Sequence, residues 1–207
     1  MAAPTALAAT PAASDAEYQG IINVTSTPDR RFGFAAHGES NSLAVIDLEA
    51  GRKVRTLKLG ELPWRAYATA DGRTMIVPNN GDRTVSIIDT AGSADGPTVV
   101  ATLPGGADMT GVNTANDGTT AFVISRGEDR IVVLDLVARK YIGDIALPGT
   151  PETGIVTPDG RKLYVALSSS DQVAVIDVAT RTLVRTIDDV GDGPWGTSMV
   201  AARNYCH

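Results

Sequence analysis

A unit of about 43 residues recurs four times along this chain, and no other feature of the sequence constrains the fold as strongly. Each unit opens with a Thr that is followed within three residues by an Asp, and three of the four units continue with a Gly. Asp bonds to its own backbone and Gly accepts a positive φ, so each opening predicts a tight turn. The four openings, spaced by 42 to 45 residues, are 27–31, 69–73, 114–118 and 157–161.

Around each turn the sequence predicts short strands. One apolar strand precedes the turn; an apolar run, a polar loop, a second apolar run and a fourth strand follow it. The second run is apolar at almost every position, which is typical of a strand buried on both faces. It ends each time in an Asp, which we interpret as a turn-forming residue and not as a catalytic acid. These runs are 43–47, 85–89, 131–135 and 173–177.

Four short strands in about 43 residues match the period of a β-propeller blade. The sequence therefore predicts an all-β fold: a β-propeller of four-stranded antiparallel blades, with four repeats visible and one surplus strand. We expect a flexible leader at 1–19 and a single propeller domain at 20–207. The repeats fall at about 20–62, 63–107, 108–150 and 151–195, with a partial fifth at 196–207.

Composition and motifs exclude several function classes. The chain has 18 Lys and Arg against 24 Asp and Glu, a net charge of −6 without a basic run, so we predict no nucleic-acid partner. The single Cys excludes an internal disulfide framework. No apolar run reaches the ~18 residues of a membrane-spanning helix, so we predict no transmembrane segment. Motifs for nucleophilic, phosphate-binding or zinc-dependent catalysis are missing, which favours a protein that is not an enzyme.

The first 19 residues are rich in Ala, punctuated by Pro and without periodicity. They hold neither a basic segment nor an apolar segment of ~7–15 residues, so they are not an intact signal peptide. Their composition is similar to the start of an exported protein after signal removal. We therefore predict a periplasmic or secreted protein, with an ordinary disordered N-terminus as the alternative.

The fourth unit carries the clearest motif, TPDGRKLYVA at 157–166 followed by VAVIDVAT at 173–180, and residues 79–89 match it a second time. On these residues the chain resembles the YVTN family of β-propeller repeats, over about residues 20–200. The resemblance implies relatives among cell-surface proteins, periplasmic proteins associated with pyrroloquinoline quinone (PQQ) and the haem d1 domains of nitrite reductase. It implies no shared catalytic residue.

Four complete repeats leave one strand over, because residues 197–200 match the first strand of a fifth unit. This strand closes the ring onto the first unit, or two copies join, or the chain is a piece of a longer propeller. An open blade face leaves apolar surface and an unpaired strand edge in water. We therefore predict a homo-oligomer, or a partner that completes the ring.

Two loops between blades carry a Pro-Trp pair, and their tryptophans lie three repeat lengths apart. They are predicted at equivalent positions on the inner rim, either as walls of a ligand pocket or as spacers between blades. Loops on the same face supply arginines that can fork onto carboxylates, which PQQ would offer. The predicted ligand-binding residues are Trp64, Arg65, Trp195, His37, Asn79, Arg83, Arg126 and Arg130.

The C-terminal residues suggest a metal site. Met199, Cys206 and His207 are soft ligands suited to copper, although a non-functional chain end is the alternative. Arg203 stands where covalent haem attachment needs a first Cys, which argues against that linkage.

Two functions follow. The first is an exported, non-catalytic binding or scaffold propeller that presents one loop face to a small molecule or a protein. The alternative is a periplasmic redox-associated propeller that holds a quinone, haem or copper cofactor. An enzyme acting through His37, the one internal histidine, ranks last.

Overall fold

The computed structural model describes residues 20–91 and 96–199. In this part of the chain sixteen strands form four separate antiparallel sheets of four strands, each built from consecutive strands. Blade one holds β1 Ile21–Ser26, β2 Phe32–His37, β3 Ser42–Asp47 and β4 Arg52–Lys58; blade two holds β5 Tyr67–Ala68, β6 Thr74–Asn79, β7 Thr84–Asp89 and β8 Thr98–Pro104. Blade three holds β9 Met109–Thr114, β10 Thr120–Ser125, β11 Arg130–Asp135 and β12 Lys140–Ala146; blade four holds β13 Pro151–Val156, β14 Lys162–Leu167, β15 Gln172–Asp177 and β16 Thr182–Ile187.

The predicted fold class is confirmed, because each blade is a four-stranded antiparallel meander. A single 3-10 turn, Arg126–Glu128, interrupts the strands of the described residues. The third and fourth strands of every blade share an irregularity at the same place, between the third strand's last two apolar residues. A bulge increases the local twist of a strand. Because the bulge occurs at the same position in each blade, the four blades share the same twist at their outer edge.

The hydrophobic core lies between blades rather than inside one of them. One cluster joins blades one and two around Phe34 and Met75, a second joins blades two and three around Ile87 and Val132, and a third joins blades three and four. The third strands are buried in all four blades, as their continuous apolar sequence predicted. Apolar strands without alternation are therefore the sign of sheets packed face to face.

The turns are held by the side chains that predicted them. The Thr27 hydroxyl donates to Asp29 at 2.5 Å, and Thr157 donates to Asp159 at 2.5 Å. This bond and a neighbouring backbone N–H lower the pKa of Asp159 to about 2. The Asp that ends each third strand accepts backbone N–H groups of the following turn, as Asp47 does from Glu49 and Ala50. The interpretation of these acids as turn-forming residues is confirmed.

The four blades do not enclose a ring on their own. Packing between neighbouring blades runs from one to two, two to three and three to four, and packing of that extent does not recur between blades four and one of the described residues. Ile21 and Val24 of β1 are 58% and 60% exposed, whereas all six residues of β13 are buried. The first blade therefore presents an uncovered inner strand.

The segment after blade four lies alongside β13 without joining a sheet. Thr153 of β13 donates its hydroxyl to the Trp195 carbonyl at 3.1 Å and accepts the Thr197 N–H at 3.2 Å. Residues 197–199 are not in a strand, and residue 200 lies outside the described part. A strand needs a backbone ladder, and here side-chain bonds replace it. The expected leader at 1–19 also lies outside the described residues, and no helix within them is long and apolar enough to cross a membrane.

Candidate functional site

A pocket of about 450 Å³ opens on the loop face of blades two, three and four. It is built from loops that lead into a blade, from the starts of the inner strands β9 and β13, and from loops that join second to third strands. Both loop classes were predicted to share one face, and here they surround one cavity. Its lining residues are Leu62, Trp64, Arg65, Asn80, Asp108, Thr110, Arg126, Glu152, Thr153 and Trp195.

The two tryptophans, 131 residues apart in sequence, line this one pocket. Trp64 is half-buried and its backbone N–H donates to the Pro78 carbonyl at 2.9 Å. Trp195 is 63% exposed, which does not fit a spacer buried between two blades. The three-repeat spacing thus brings two indole rings to the same cavity from blades that are not neighbours.

Arg126 is the charged centre of one wall. Its Nε lies 2.7 Å from the Asp108 carboxylate and its Nη1 lies 3.4 Å from Glu152. The Asp108 hydrogen bond is the main reason that the pKa of Arg126 is raised above its ordinary value. Glu152 is only 5% exposed and also accepts the Ser168 hydroxyl at 2.7 Å. Two carboxylates therefore pair with this one guanidinium.

Arg65 lines the same pocket but differs from Arg126 in its hydrogen bonding. Its Nε is buried and has no hydrogen-bond acceptor among the described residues. Most buried N–H groups in proteins do have a partner, so this group stands out. The pocket thus contains one arginine that pairs with two carboxylates and another whose buried Nε has no acceptor among the described residues.

Hydrogen bonds between blades hold the pocket walls in place. The Asn80 side chain of blade two accepts the Met109 N–H at 2.8 Å, and Thr110 of blade three donates to the Glu152 carbonyl of blade four at 2.8 Å. Each bond joins the inner rim of one blade to the next. Hydrogen bonds between successive blades therefore hold the backbone that carries the lining side chains.

Four of the predicted ligand residues lie outside this pocket. Asn79 is fully buried and donates to Thr84 and Ser86 at the end of its blade, so its side chain supports the sheet. His37 ends β2 opposite Ile21, on the blade that does not contribute to the pocket. Polar side chains at strand ends often form hydrogen bonds within the nearest turn. Sequence spacing alone does not distinguish such residues from residues that line a pocket.

The other two arginines outside the pocket sit in ion pairs with neighbouring loops. Arg83 is 66% exposed and lies 3.8 Å from Glu128, while Arg130 lies 2.7 Å from Glu128 and also pairs with Asp144. Glu128 in turn accepts the Ser125 hydroxyl and the Ala107 N–H. Arg130 therefore braces the blade-three loop and is not aimed at the cavity.

Six lining residues were not among the predicted ligand-binding residues: Leu62, Asn80, Asp108, Thr110, Glu152 and Thr153. The two threonines stand 43 residues apart, at the same position of successive inner strands, so the repeat itself was a signal for them. Of the predicted copper ligands, Met199 is partly buried, and Cys206 and His207 lie outside the described residues. Within the described ranges, no three His, Cys, Asp or Glu residues come together as a metal site.

Four-stranded blades packed face to face around a shared loop-lined pocket define the chain as a β-propeller protein. More closely, it belongs to the YNCE-like beta-propeller family, whose model matches residues 26–203. The predicted relationship to propellers of this type is confirmed.

Two curated relatives show how far the resemblance extends. Protein NirF of Stutzerimonas stutzeri is 23% identical over 198 residues, which are 87% of this chain and 49% of NirF. The seven-bladed beta-propeller protein Rv1057 of Mycobacterium tuberculosis is 29% identical over 131 residues, 62% of this chain and 33% of Rv1057. The chain thus spans half or less of the length of these relatives.

Solved structures share the fold. Hydrazine synthase of Kuenenia stuttgartiensis superposes with a TM-score of 0.72 at 21% identity, over 86% of this chain and 52% of that one. The dihydro-heme d1 dehydrogenase NirN, solved in complex with DHE, gives a TM-score of 0.66 at 19% identity, over 84% of this chain and 38% of NirN. At these identities the likeness concerns the fold alone.

Proposed function

We propose that this chain is an exported, non-catalytic binding propeller whose pocket holds a small, flat organic molecule between Trp64 and Trp195. The observation that carries the proposal is the convergence of both tryptophans of the chain on one cavity. Its volume of about 450 Å³ falls in the range typical of small-molecule sites. Aromatic walls supply apolar contact and ring stacking for a planar ligand. Export rests on the composition of residues 1–19.

A redox cofactor is the more specific version of this proposal. NirN, which shares the fold over 38% of its length, is a dihydro-heme d1 dehydrogenase solved in complex with DHE, and PQQ is a flat molecule with carboxylates. The indole rings and the positive charge of Arg65 suit a flat molecule that bears carboxylates. The described lining residues include no His, Cys or Met, so they offer a haem iron no axial ligand.

Isothermal titration calorimetry with PQQ and with haemin tests the proposal on the intact chain. We expect saturable binding of at least one of them, weakened about ten-fold by Trp195→Ala, since removing an aromatic anchor of a binding site typically costs more than 1 kcal/mol. Tyr141→Ala is the matched control, because Tyr141 is an exposed aromatic residue of β12 outside the pocket. Absence of saturable binding for both molecules, or equal losses in both variants, would contradict the proposal.

The uncovered inner strand of blade one supports the second part of the proposal, a partner that completes the ring. Ile21 and Val24 expose apolar side chains there, and exposed apolar surface beside an unpaired edge favours association. A second copy of the chain, or a partner with further blades, would cover it. Light scattering on dilute protein tests the self-association arm, which a monodisperse monomer of 21.5 kDa would contradict.

A further inference from the structure

The two arginines of the pocket show which ligand group it is built to receive. Arg126 is enclosed by Asp108 at 2.7 Å and by Glu152 at 3.4 Å. Arg65 shares the same cavity, yet its buried Nε has no acceptor among the described residues. An arginine is always charged, so Arg65 carries a positive charge in this pocket that no neighbouring carboxylate neutralises among the described residues.

A buried N–H without an acceptor is costly, and folded proteins leave few of them. The Nε atom itself is closed off from solvent, so a ligand would meet Arg65 through the part of its side chain that lines the cavity. The planar guanidinium matches a carboxylate in particular, because two parallel N–H groups can donate to its two oxygens. The neighbouring residue Trp64 would hold the ring to which that carboxylate is attached.

The wall that holds Arg126 disfavours an anionic group of the ligand. Asp108 and Glu152 place two carboxylates around the single guanidinium of Arg126, so this wall carries an excess of negative charge. A second anionic group of the ligand would meet like charge there, which is unfavourable in a partly buried site.

We propose, resting on the proposed function, that Arg65 is the receptor for one carboxylate of the ligand and that the pocket selects flat aromatic carboxylates over their uncharged analogues. Arg65 determines the specificity of the site, and the two indole rings provide affinity for the ring system. Arg126 positions the wall through its two acids and takes no part in holding the ligand carboxylate.

A matched pair of probes isolates the charge: 2-naphthoate and 2-naphthamide have the same ring and nearly the same shape. By calorimetry on the intact chain we expect the acid to bind at least ten-fold more tightly, since hydrogen bonds to charged groups have effects of about this size. Arg65→Gln should remove the preference while amide binding persists. Arg65→Lys, which keeps the charge but loses the fork, should retain a reduced preference.

Arg83→Gln is the control variant, because Arg83 is an exposed arginine of the same loop face outside the pocket. It should leave the acid preference unchanged. Circular dichroism checks that each variant is folded. If Arg65→Gln does not fold, the reduced acid preference of Arg65→Lys still tests the inference. Equal binding of acid and amide, or a preference that survives Arg65→Gln, overturns this inference and leaves the proposed function standing. Failure of both probes to bind the unmodified chain also overturns this inference, and the titrations with PQQ and haemin then decide whether the proposed function stands.

Discussion

Two loops of this molecule share the pattern Gly-x-x-Pro-Trp, at 60–64 and 191–195, and both reach the pocket. They begin alike: Leu62 N–H donates to the Asn41 side chain at 3.0 Å, and Gly193 N–H donates to Asp171 at 2.8 Å. In each case the acceptor lies in the loop between the second and third strands of the blade before. Each loop is therefore anchored to the preceding blade by the same kind of hydrogen bond.

The following blade makes the difference. The loop at 60–65 runs against residues 78–82 of blade two, where the Trp64 N–H donates to Pro78 and the Leu62 carbonyl accepts from Asn80, both at 2.9 Å. The loop at 191–196 has only Thr153 of β13 as its second anchor among the described residues. The same sequence thus gives a fixed loop between two blades and a more exposed loop beside one blade.

The largest effect expected from this contrast concerns the tryptophans themselves. Trp64→Ala should lower the free energy of unfolding by about 2 kcal/mol, because a half-buried aromatic side chain loses apolar contacts. Trp195→Ala should change it by no more than about 0.5 kcal/mol, as is usual for exposed residues. Chemical denaturation of both variants measures the difference. Equal losses would show that the two loops are anchored alike.

Two glycines give a smaller and more local comparison. A Cβ at Gly60 would lie 2.5 Å from the Asp82 carboxylate and 2.6 Å from the amide nitrogen of Asn79, whereas a Cβ at Gly196 would meet no atom within 4 Å. Gly60→Ala should therefore destabilise the fold by about 1–2 kcal/mol, as overpacking does, and Gly196→Ala should be nearly neutral. Thermal unfolding of the pair tests this, and a neutral Gly60→Ala would mean that the first loop yields easily.

The smallest expected effect is local mobility. Asn41 and Asp171 both have positive φ, so replacing either with Gly removes the side-chain acceptor without backbone strain. Asp171→Gly should cost roughly 1 kcal/mol of local protection and speed amide exchange at 191–196 several-fold. Asn41→Gly should leave exchange at 60–65 almost unchanged, because the bonds to blade two remain. Hydrogen exchange resolves the two loops, and similar acceleration in both would refute the contrast.

Much of the fold was predictable from particular residues. The run 131–135 predicts a strand buried on both faces, and it forms most of the third strand of blade three. Val132 packs in the cluster shared with blade two, and Val133 packs in the cluster shared with blade four. Thr157 and Asp159 read as a turn and form one through their own hydrogen bond. Both inferences needed only chemistry within a few residues of the position concerned.

The candidate site was predictable in part. Trp64 and Trp195 were matched by counting repeats, and Arg65 and Arg126 were named beside them. Counting could not separate these arginines from Arg83 and Arg130, since the sequence predicted all four in loops of the same face. Whether an arginine lines the pocket depends on which carboxylates its guanidinium pairs with. Arg130 pairs with Glu128 and Asp144 and does not line the pocket.

The sequence by itself determined the blades, because turn chemistry, strand length and apolar patterning act over short stretches of chain and repeat with the same period. Only the tertiary structure decided the pocket, since its walls come from three blades and its charges from residues up to 87 positions apart, such as Arg65 and Glu152. The packing of one blade on the next gives Arg126 to Asp108 and Glu152, and leaves the buried donor of Arg65 open. Pairing between distant charges follows from the way sheets stack, which no local pattern records.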